Sequence, residues 1–377
     1  MDTMDVVIRT ARKEDAPSLH RFLEISYGHG RDFFYRHYPE RYRDEDEAMG
    51  CFLIALEDGQ IVSNVGLFPM EVVILGERFK CAGIGGVATH PQARGKGYMT
   101  ELLNRSLSKM REEGYDFSLL WGNRQRYGAF GYEVCGAQYH LTYSRRSLDR
   151  AGVQPIPVTE VDPADPEVVA LIRRLHQLLP CRVERPRLDL QLQKPGLRVF
   201  IGGDGYLISN REVSGDLSGV EVVSTEGKEL ELIYGAMNLT FGSRAEAFVE
   251  TADSERNRRL VSACESWSLA PRTMFRIVNW PRFMAKLRPV LERLAVGLPP
   301  FSISIGCQDG ARVDVVSLQW DGTQLLLGNE KGLGRYLEFS VRELSGHIFG
   351  GPPVKASLGA LAALLPIPTY ISRLDAI

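Results

Sequence analysis

The most constraining stretch of this sequence is Gly83-Ile84-Gly85-Gly86-Val87-Ala88-Thr89-His90-Pro91-Gln92-Ala93-Arg94-Gly95-Lys96-Gly97-Tyr98. A strand-like run ends in a short, basic, glycine-rich loop. The loop opens directly into a segment whose apolar residues, Met99, Leu102, Leu103, Leu107 and Met110, recur at helical spacing until Gly114. A helix begun in this way leaves its first backbone N–H groups without intrahelical partners, and its dipole adds partial positive charge at the same point. Gly95 and Gly97 let an anion come close to the backbone, and Arg94 and Lys96 add full charges. The successive amides from Arg94 to Gly97 match a pyrophosphate. The competing reading is an ordinary helix-start turn with solvated basic side chains.

Two other phosphate motifs fail on spelling. A Walker A loop needs Gly, four residues, then Gly-Lys-Ser/Thr, whereas Gly95-Lys96 is followed by Gly97 and no earlier glycine has the required spacing. The dinucleotide fingerprint needs its glycines in the strand-to-helix turn, whereas Gly83, Gly85 and Gly86 lie inside the strand.

Around this run, residues 5–145 carry the clearest order. Val6 to Arg9 predicts a first strand and Glu14 to Ser26 a helix; an aromatic segment, Phe33 to Tyr42, is interleaved with Arg31, Arg36, His37 and Arg41. An antiparallel meander follows: Cys51 to Leu56, Ile61 to Leu67, Met70 to Leu75 and Phe79 to Ala88, with turns at Asp58-Gly59 and Gly76-Glu77. Phe117 to Trp121 reads as a buried strand reached by a crossover through the Tyr98 to Arg111 helix and parallel to the strand before it. The prolines at 155, 157, 163 and 166 mark a boundary. Beyond it, Glu167 to Leu179 predicts a helix. Strand-like pieces follow at Leu197 to Ile201, Tyr206 to Asn210, Val220 to Ser224 and Leu230 to Tyr234, then helices at Arg244 to Ala252 and Arg256 to Glu265. From Thr273 a smaller unit is expected, with helices at Arg282 to Leu294 and Lys355 to Leu364 and strands at Phe301 to Cys307, Val313 to Leu318 and Gln324 to Leu327. At roughly 150 residues per domain, the 377 residues make about 2.5 domains, in keeping with divisions at 1–150, 151–272 and 273–377.

Charge narrows the partners. With 45 basic and 47 acidic residues the formal net charge is -2, which gives no overall footprint for nucleic acid or an anionic membrane. No secretory signal is expected at the amino terminus, and no apolar run approaches the roughly 20 residues of a spanning helix. Six scattered cysteines without a CxxC pair read as free thiols of a reducing cytoplasm. No His/Cys/carboxylate spacing suggests a metal site, and no G-x-S-x-G elbow suggests a serine hydrolase.

Gln92-Ala93-Arg94-Gly95-Lys96-Gly97 resembles the Q/R-x-x-G-x-G/A signature of the GNAT acetyltransferases, and Tyr127-Gly128-Ala129-Phe130-Gly131-Tyr132 resembles a segment typical of the same fold. One motif-bearing unit, a second without it and a smaller third resemble the Eis (enhanced intracellular survival) acetyltransferases. So do Met274 to Asn279 and Leu365-Pro366-Ile367-Pro368-Thr369-Tyr370-Ile371. The resemblance implies an α+β chain of two tandem GNAT-like folds followed by a sterol-carrier-protein-like α/β domain. It implies acetyl-CoA as cosubstrate with no metal, a small-molecule or peptide amine as acceptor, and a homohexamer. Carried over by position, Gly85, Gly86 and Val87 would pair with the cofactor, Ala93, Arg94, Gly95, Lys96, Gly97 and Tyr98 would hold its pyrophosphate, and Gly122 and Asn123 would end the second strand of the wedge. Tyr127 would be the general acid, since an ordinary tyrosine with a pKa near ~10 is protonated at neutral pH; packing beneath the cofactor is its other reading. The main-chain carboxylate of Ile377 would be the base, with Asp375 or a bridging water as substitutes. His29, His37, Asp32 and Glu24 fall in the region resembling the acceptor site and also suit a solvated face. The Asp44 to Glu47 run suits either a polyamine or a solvated loop. A different class of function, a non-catalytic CoA sensor or carrier of an apolar ligand built on Leu358, Leu361 and Leu364, also stands.

Overall fold

The computed structural model describes residues 6–332, 334–352 and 358–377. The chain forms two compact units, one of Met1–Gly136, Arg272–Ile367 and Ile377, the other of Ala137–Pro271 and Pro368–Ala376.

The first unit begins with β1 (Val6–Thr10) and the helices α1 (Ala16–Tyr27), α2 (Phe33–His37) and α3 (Asp46–Met49). The meander follows as β2 (Phe52–Glu57), β3 (Gln60–Ile74) and β4 (Glu77–Thr89). The two strands expected on either side of Pro69 are one continuous strand: Pro69 stands opposite Ala82 in an unbroken antiparallel register from Gly66 to Ile74. Helix α4 (Tyr98–Glu112) then leads to β5 (Phe117–Leu120), which pairs parallel to β4, as the crossover predicts. The short α5 (Arg124–Gly128) and β6 (Glu133–Ser144) complete this stretch. Leu102, Leu103 and Met110 of α4 are buried against Val65, Ala82, Ile84 and Leu120 of the sheet. On another cluster Leu19 and Leu23 of α1 pack with Phe34, Tyr42, Phe52 and Phe68.

The second unit contains α6 (Arg145–Arg150), β7 (Thr159–Val161), α7 (Pro166–His176), β8 (Cys181–Val183), α8 (Leu188–Gln191), β9 (Leu197–Gly202), β10 (Gly205–Arg211), β11 (Leu217–Ser224), α9 (Glu229–Thr240), β12 (Arg244–Val249), α10 (Glu255–Ala263) and the start of β13 (Ser266–Ile277). Its strands run β6-β12-β11-β10-β9-β7, and β11 and β12 are the parallel pair joined through α9. Two sequence expectations are corrected here. Leu230 to Tyr234 belongs to helix α9, because its residues are apolar on nearly every side and conceal the helical period. Arg244 to Val249 is a strand, with Ala245, Ala247 and Val249 buried at a period of two. Inside this unit the Arg185 guanidinium donates to both oxygens of Glu221, each at 2.7 Å, and to both of Asp375, at 2.8 and 2.9 Å. All three side chains are buried.

The remaining residues of the first unit supply the end of β13, whose Met274–Ile277 pair antiparallel with β5. They add α11 (Trp280–Ala295), α12 (Val341–Phe349) and a separate sheet of β14 (Phe301–Asp309), β15 (Arg312–Trp320), β16 (Leu325–Gly328) and β17 (Arg335–Ser340) in the order β16-β15-β14-β17. Of the expected Lys355 to Leu364 helix, 355–357 lie outside the described residues, and Gly359–Leu364 is a 3₁₀ helix. No disulfide joins any of the six cysteines, and four of them are buried.

Arg185→Ala would strand two buried carboxylates and is expected to cost about 3–5 kcal/mol in urea unfolding. Although burial raises the Glu221 carboxyl, Arg185 and its neighbours hold it well below the usual carboxylate range. Its stabilising contribution is therefore present above about pH 4.3 and is lost as pH falls below that value.

Candidate active site

The site is made where β4 and β5 part. Their parallel pairing runs from Cys81↔Phe117 to Ile84↔Leu120; β5 then ends, while β4 continues to Thr89. On its other edge, β4 meets Asn64 of β3 at Ala88 and Gly66 at Gly85, so Gly86 and Val87 together oppose the single residue Val65. This is a β-bulge, and Gly86 occupies the left-handed conformation such a bulge favours, with φ 58°. The Asn64 amide donates to the Gly86 carbonyl at 2.8 Å, fixing the bulge.

Past the bulge lies a cleft of about 610 Å³. Val87, Ala88 and Thr89 form one wall, the loop from Ala93 to Gly97 and the first turn of α4 form another, and Ser26, Tyr27 and Arg126 close the rest. Gly97 is the N-cap of α4 and has no side chain to cap it, in contrast to the Asn, Ser and Asp residues that cap α5, α6, α7, α10, α11 and α12. The N–H groups of this 15-residue helix thus open on the cleft. Gly95 and Gly97 have φ of 81° and 85°, and the space where each Cβ would stand is empty to 4 Å. These features fit a pyrophosphate: an uncapped helix start, a backbone an anion can touch, and Arg94, which among the described residues has no acidic partner.

Lys96 is arranged differently from the expectation. Its ammonium donates to Glu57 at 2.7 and 3.0 Å, away from the cleft wall, and the Tyr98 hydroxyl donates to the same carboxylate. Lys96 and then Tyr98 hold the Glu57 carboxyl below its ordinary value, while Glu57 pushes the Tyr98 hydroxyl up to about 12. The charge of Lys96 is therefore balanced within the protein, and the loop's outward charge comes from Arg94.

Gly122 and Asn123 follow β5 as expected, but both serve α5. A Cβ on Gly122 would stand 2.3 Å from the Tyr127 ring, and the Asn123 side chain accepts from the amides of Gln125 and Arg126, each at 3.0 Å. Tyr127 is buried, stands outside the lining of the cleft, and has its ring edge-on to Tyr132. Burial raises its hydroxyl pKa, and the neighbouring Arg126 guanidinium offsets part of the rise. Ile377 packs against the sheet beside the bulge: its main-chain carbon is 3.1 Å from where a Cβ on Gly85 would be, and its Cδ1 is 2.4 Å from that of Gly83. Asp375 is held by Arg185 and is not available as a base.

Tyr27, Ser26 and Arg126 are cleft residues that sequence reasoning missed. The Tyr27 hydroxyl donates to the Val87 carbonyl at 3.0 Å, so it fixes the strand at the bulge, and burial raises its pKa. Among the other expected candidates, Glu24 accepts the Asp32 amide at 2.6 Å, and His29 and His37 each stack on Phe33. These residues form a packed substructure around α2. Among the described residues there is no His/Cys/Asp/Glu group able to hold a metal, and no helix is long and apolar enough to cross a membrane.

Residues 7–135 match the Acetyltransferase (GNAT) domain family. YhbS of Escherichia coli, an uncharacterized N-acetyltransferase, is 27% identical over 130 residues, covering 34% of this chain and 74% of its own. A GCN5-related N-acetyltransferase from Anabaena variabilis superposes with a TM-score of 0.72 at 18% identity, over 99% of this chain and all of the other. Eis1 from Mycobacterium abscessus gives a TM-score of 0.64 at 16% identity, over 98% of each chain. The fold is GNAT-like, an α+β arrangement of mixed sheet and helices, and the matched segment supports an acetyltransferase.

Proposed function

We propose that the protein is an acetyl-CoA-dependent N-acetyltransferase that passes an acetyl group to a primary amine of a small molecule or peptide by direct attack. The observation that carries this reading is the wedge beyond Ile84↔Leu120 leading to the uncapped start of α4. Bound acetyl-CoA would supply an activated acetyl thioester. Residues 85–87 of β4 would orient it and polarise its carbonyl through backbone N–H groups, and Arg94 to Tyr98 would hold the pyrophosphate. Tyr127 would deliver a proton to the departing sulfur, and the main-chain carboxylate of Ile377 would take one from the amine. A neutral Tyr127 suits donation, and burial keeps it neutral over a wider pH range.

In the same reading, Ala137–Pro271 is a second GNAT-like unit that has lost the cofactor loop. Its strands, helix and parallel strand repeat the order of the first, but the first turn of α9 holds buried Glu229, paired with Arg256 at 3.1 Å, where an anion would otherwise sit. The segment from 273 is read as a sterol-carrier-protein-like domain, and the working form as a cytoplasmic homohexamer. Leu358, Leu361 and Leu364 are buried in packing, so nothing in their arrangement favours an apolar carrier.

Acetyl-CoA should raise the melting temperature and release thiol when an acceptor from an amine panel is present, and Gly95→Trp should abolish the thermal shift; stabilisation without release on any amine would favour a CoA sensor. Tyr127→Phe should lower kcat by about 10²-fold or more. In the wild type the acid contribution should persist past the ordinary tyrosine pKa of about 10 and fall only as pH rises through the elevated value. A decline near neutrality that vanishes in the variant would contradict that order. Adding a Gly-Ser pair after Ile377 should depress turnover while leaving the acetyl-CoA shift intact, and unchanged turnover would remove this carboxylate from the mechanism.

A further inference from the structure

The turn that bears Tyr127 is too short to hold itself. Helix α5 has five residues, about one turn, and an isolated helix of that length is unstable in water. Gly128 at its end and Gly131 beyond it leave space where a Cβ would stand, and side chains from the carboxyl-terminal part of the same compact unit fill that space. A Cβ on Gly128 would stand 2.5 Å from Nη1 of Arg342 and 2.6 Å from its Cζ, so the guanidinium lies directly on the helix end. A Cβ on Gly131 would stand 2.6 Å from Cγ1 of Val341, and the Arg276 guanidinium donates to the Phe130 carbonyl at 2.8 Å.

Buried Glu133 joins the two ends of the turn. Its oxygens accept from Arg124, the first residue of α5, at 2.5 and 2.8 Å, and from Nε of Arg342 at 2.9 Å. Arg342 itself sits in the first turn of α12, whose start is set by a reciprocal Ser340–Glu343 capping box. One carboxylate thus holds both the beginning of α5 and the arginine that covers its end. Neither arginine points its charge into the acetyl-CoA cleft: the cleft wall carries Arg126, while Arg124 and Arg342 line a separate depression of about 410 Å³.

We propose that Arg124, Glu133 and Arg342 form a clamp through which α12 positions the Tyr127 turn for catalysis. Arg342 and Glu133 are positioning residues in this scheme. The proposal rests on the acetyltransferase reading for its catalytic part, but the clamp is also a statement about local order that needs no activity to test. Arg124 grips Glu133 through two N–H groups, whereas Arg342 reaches it through Nε alone while its Nη1 and Cζ lie over Gly128.

The test is Arg342→Ala, with Arg342→Gln as a second variant that keeps the aliphatic stem, in the full-length chain. Hydrogen exchange of the amides from Arg124 to Tyr132 should accelerate by about tenfold or more while the rest of the unit is unchanged. With an accepted amine, kcat should fall by about tenfold while the KM for acetyl-CoA stays within about twofold, because mispositioning by a fraction of an ångström is costly to the chemical step and not to cofactor binding. In a Tyr127→Phe background the same substitution should change kcat little. Unaltered exchange in both variants overturns the clamp. Faster exchange with unchanged kcat, or an equal loss of kcat with and without the Tyr127 hydroxyl, overturns its catalytic role. Absence of thiol release by the wild-type protein on every amine sinks the acetyltransferase reading instead, and the exchange measurement still decides whether the clamp holds the turn.

Discussion

The parting of β4 from β5 is the constraint on which the site depends. Two parallel strands cannot stay paired once one of them ends, and β5 stops at Leu120 while β4 runs on to Thr89. The unpaired edge this leaves would be a liability in most sheets, inviting another strand. Here the Gly86 bulge turns the edge out of register, and Asn64 and Tyr27 bind the carbonyls of Gly86 and Val87 from their own sides. What remains open is a short stretch of backbone facing the start of α4, where the helix dipole and the uncapped amides lie.

The same economy of backbone groups separates the two compact units. Both contain a strand, a helix and a parallel strand in sequence, but they resolve the helix start in opposite ways. In α4 a glycine N-cap leaves the amides to solvent. In α9 the first turn carries Glu229 and Glu231, whose charges complement the dipole from within, and Glu229 is buried against Arg256. The two helix starts therefore present opposite charge, positive dipole and open amides at α4 and buried carboxylate at α9.

Legibility in the sequence followed the range of the interactions. The loop from Gln92 to Gly97, the amphipathic α4 and the crossover to β5 were all readable, because each is set by residues close together in the chain. The apolar period of α4 is plain, whereas that of α9 is hidden by apolar residues on nearly every side, and the short alternation of Ala245, Ala247 and Val249 gave way to a helical reading. The sequence places the Lys96 charge in the loop, but its partner Glu57 lies 39 residues away and no local pattern announces it. Tyr27, Arg126 and the contacts of Arg342 were missed for the same reason: each matters only through a neighbour brought near by folding.

The sequence alone determined the basic glycine loop and the uncapped helix start that follows it. Glycines that take positive φ and a helix beginning with a glycine cap are properties of consecutive residues, so the chemistry of that loop is written locally. Tertiary structure decided the rest of the site: which strand edge is exposed, how Ile377 comes to lie against Gly83 and Gly85, and how the turn holding Tyr127 is gripped by Glu133 and Arg342. These depend on close approach between distant segments, and close approach is fixed by packing that excludes even a single added Cβ. The glycines could be read one by one in the sequence, but only the folded chain shows what occupies the space each of them leaves.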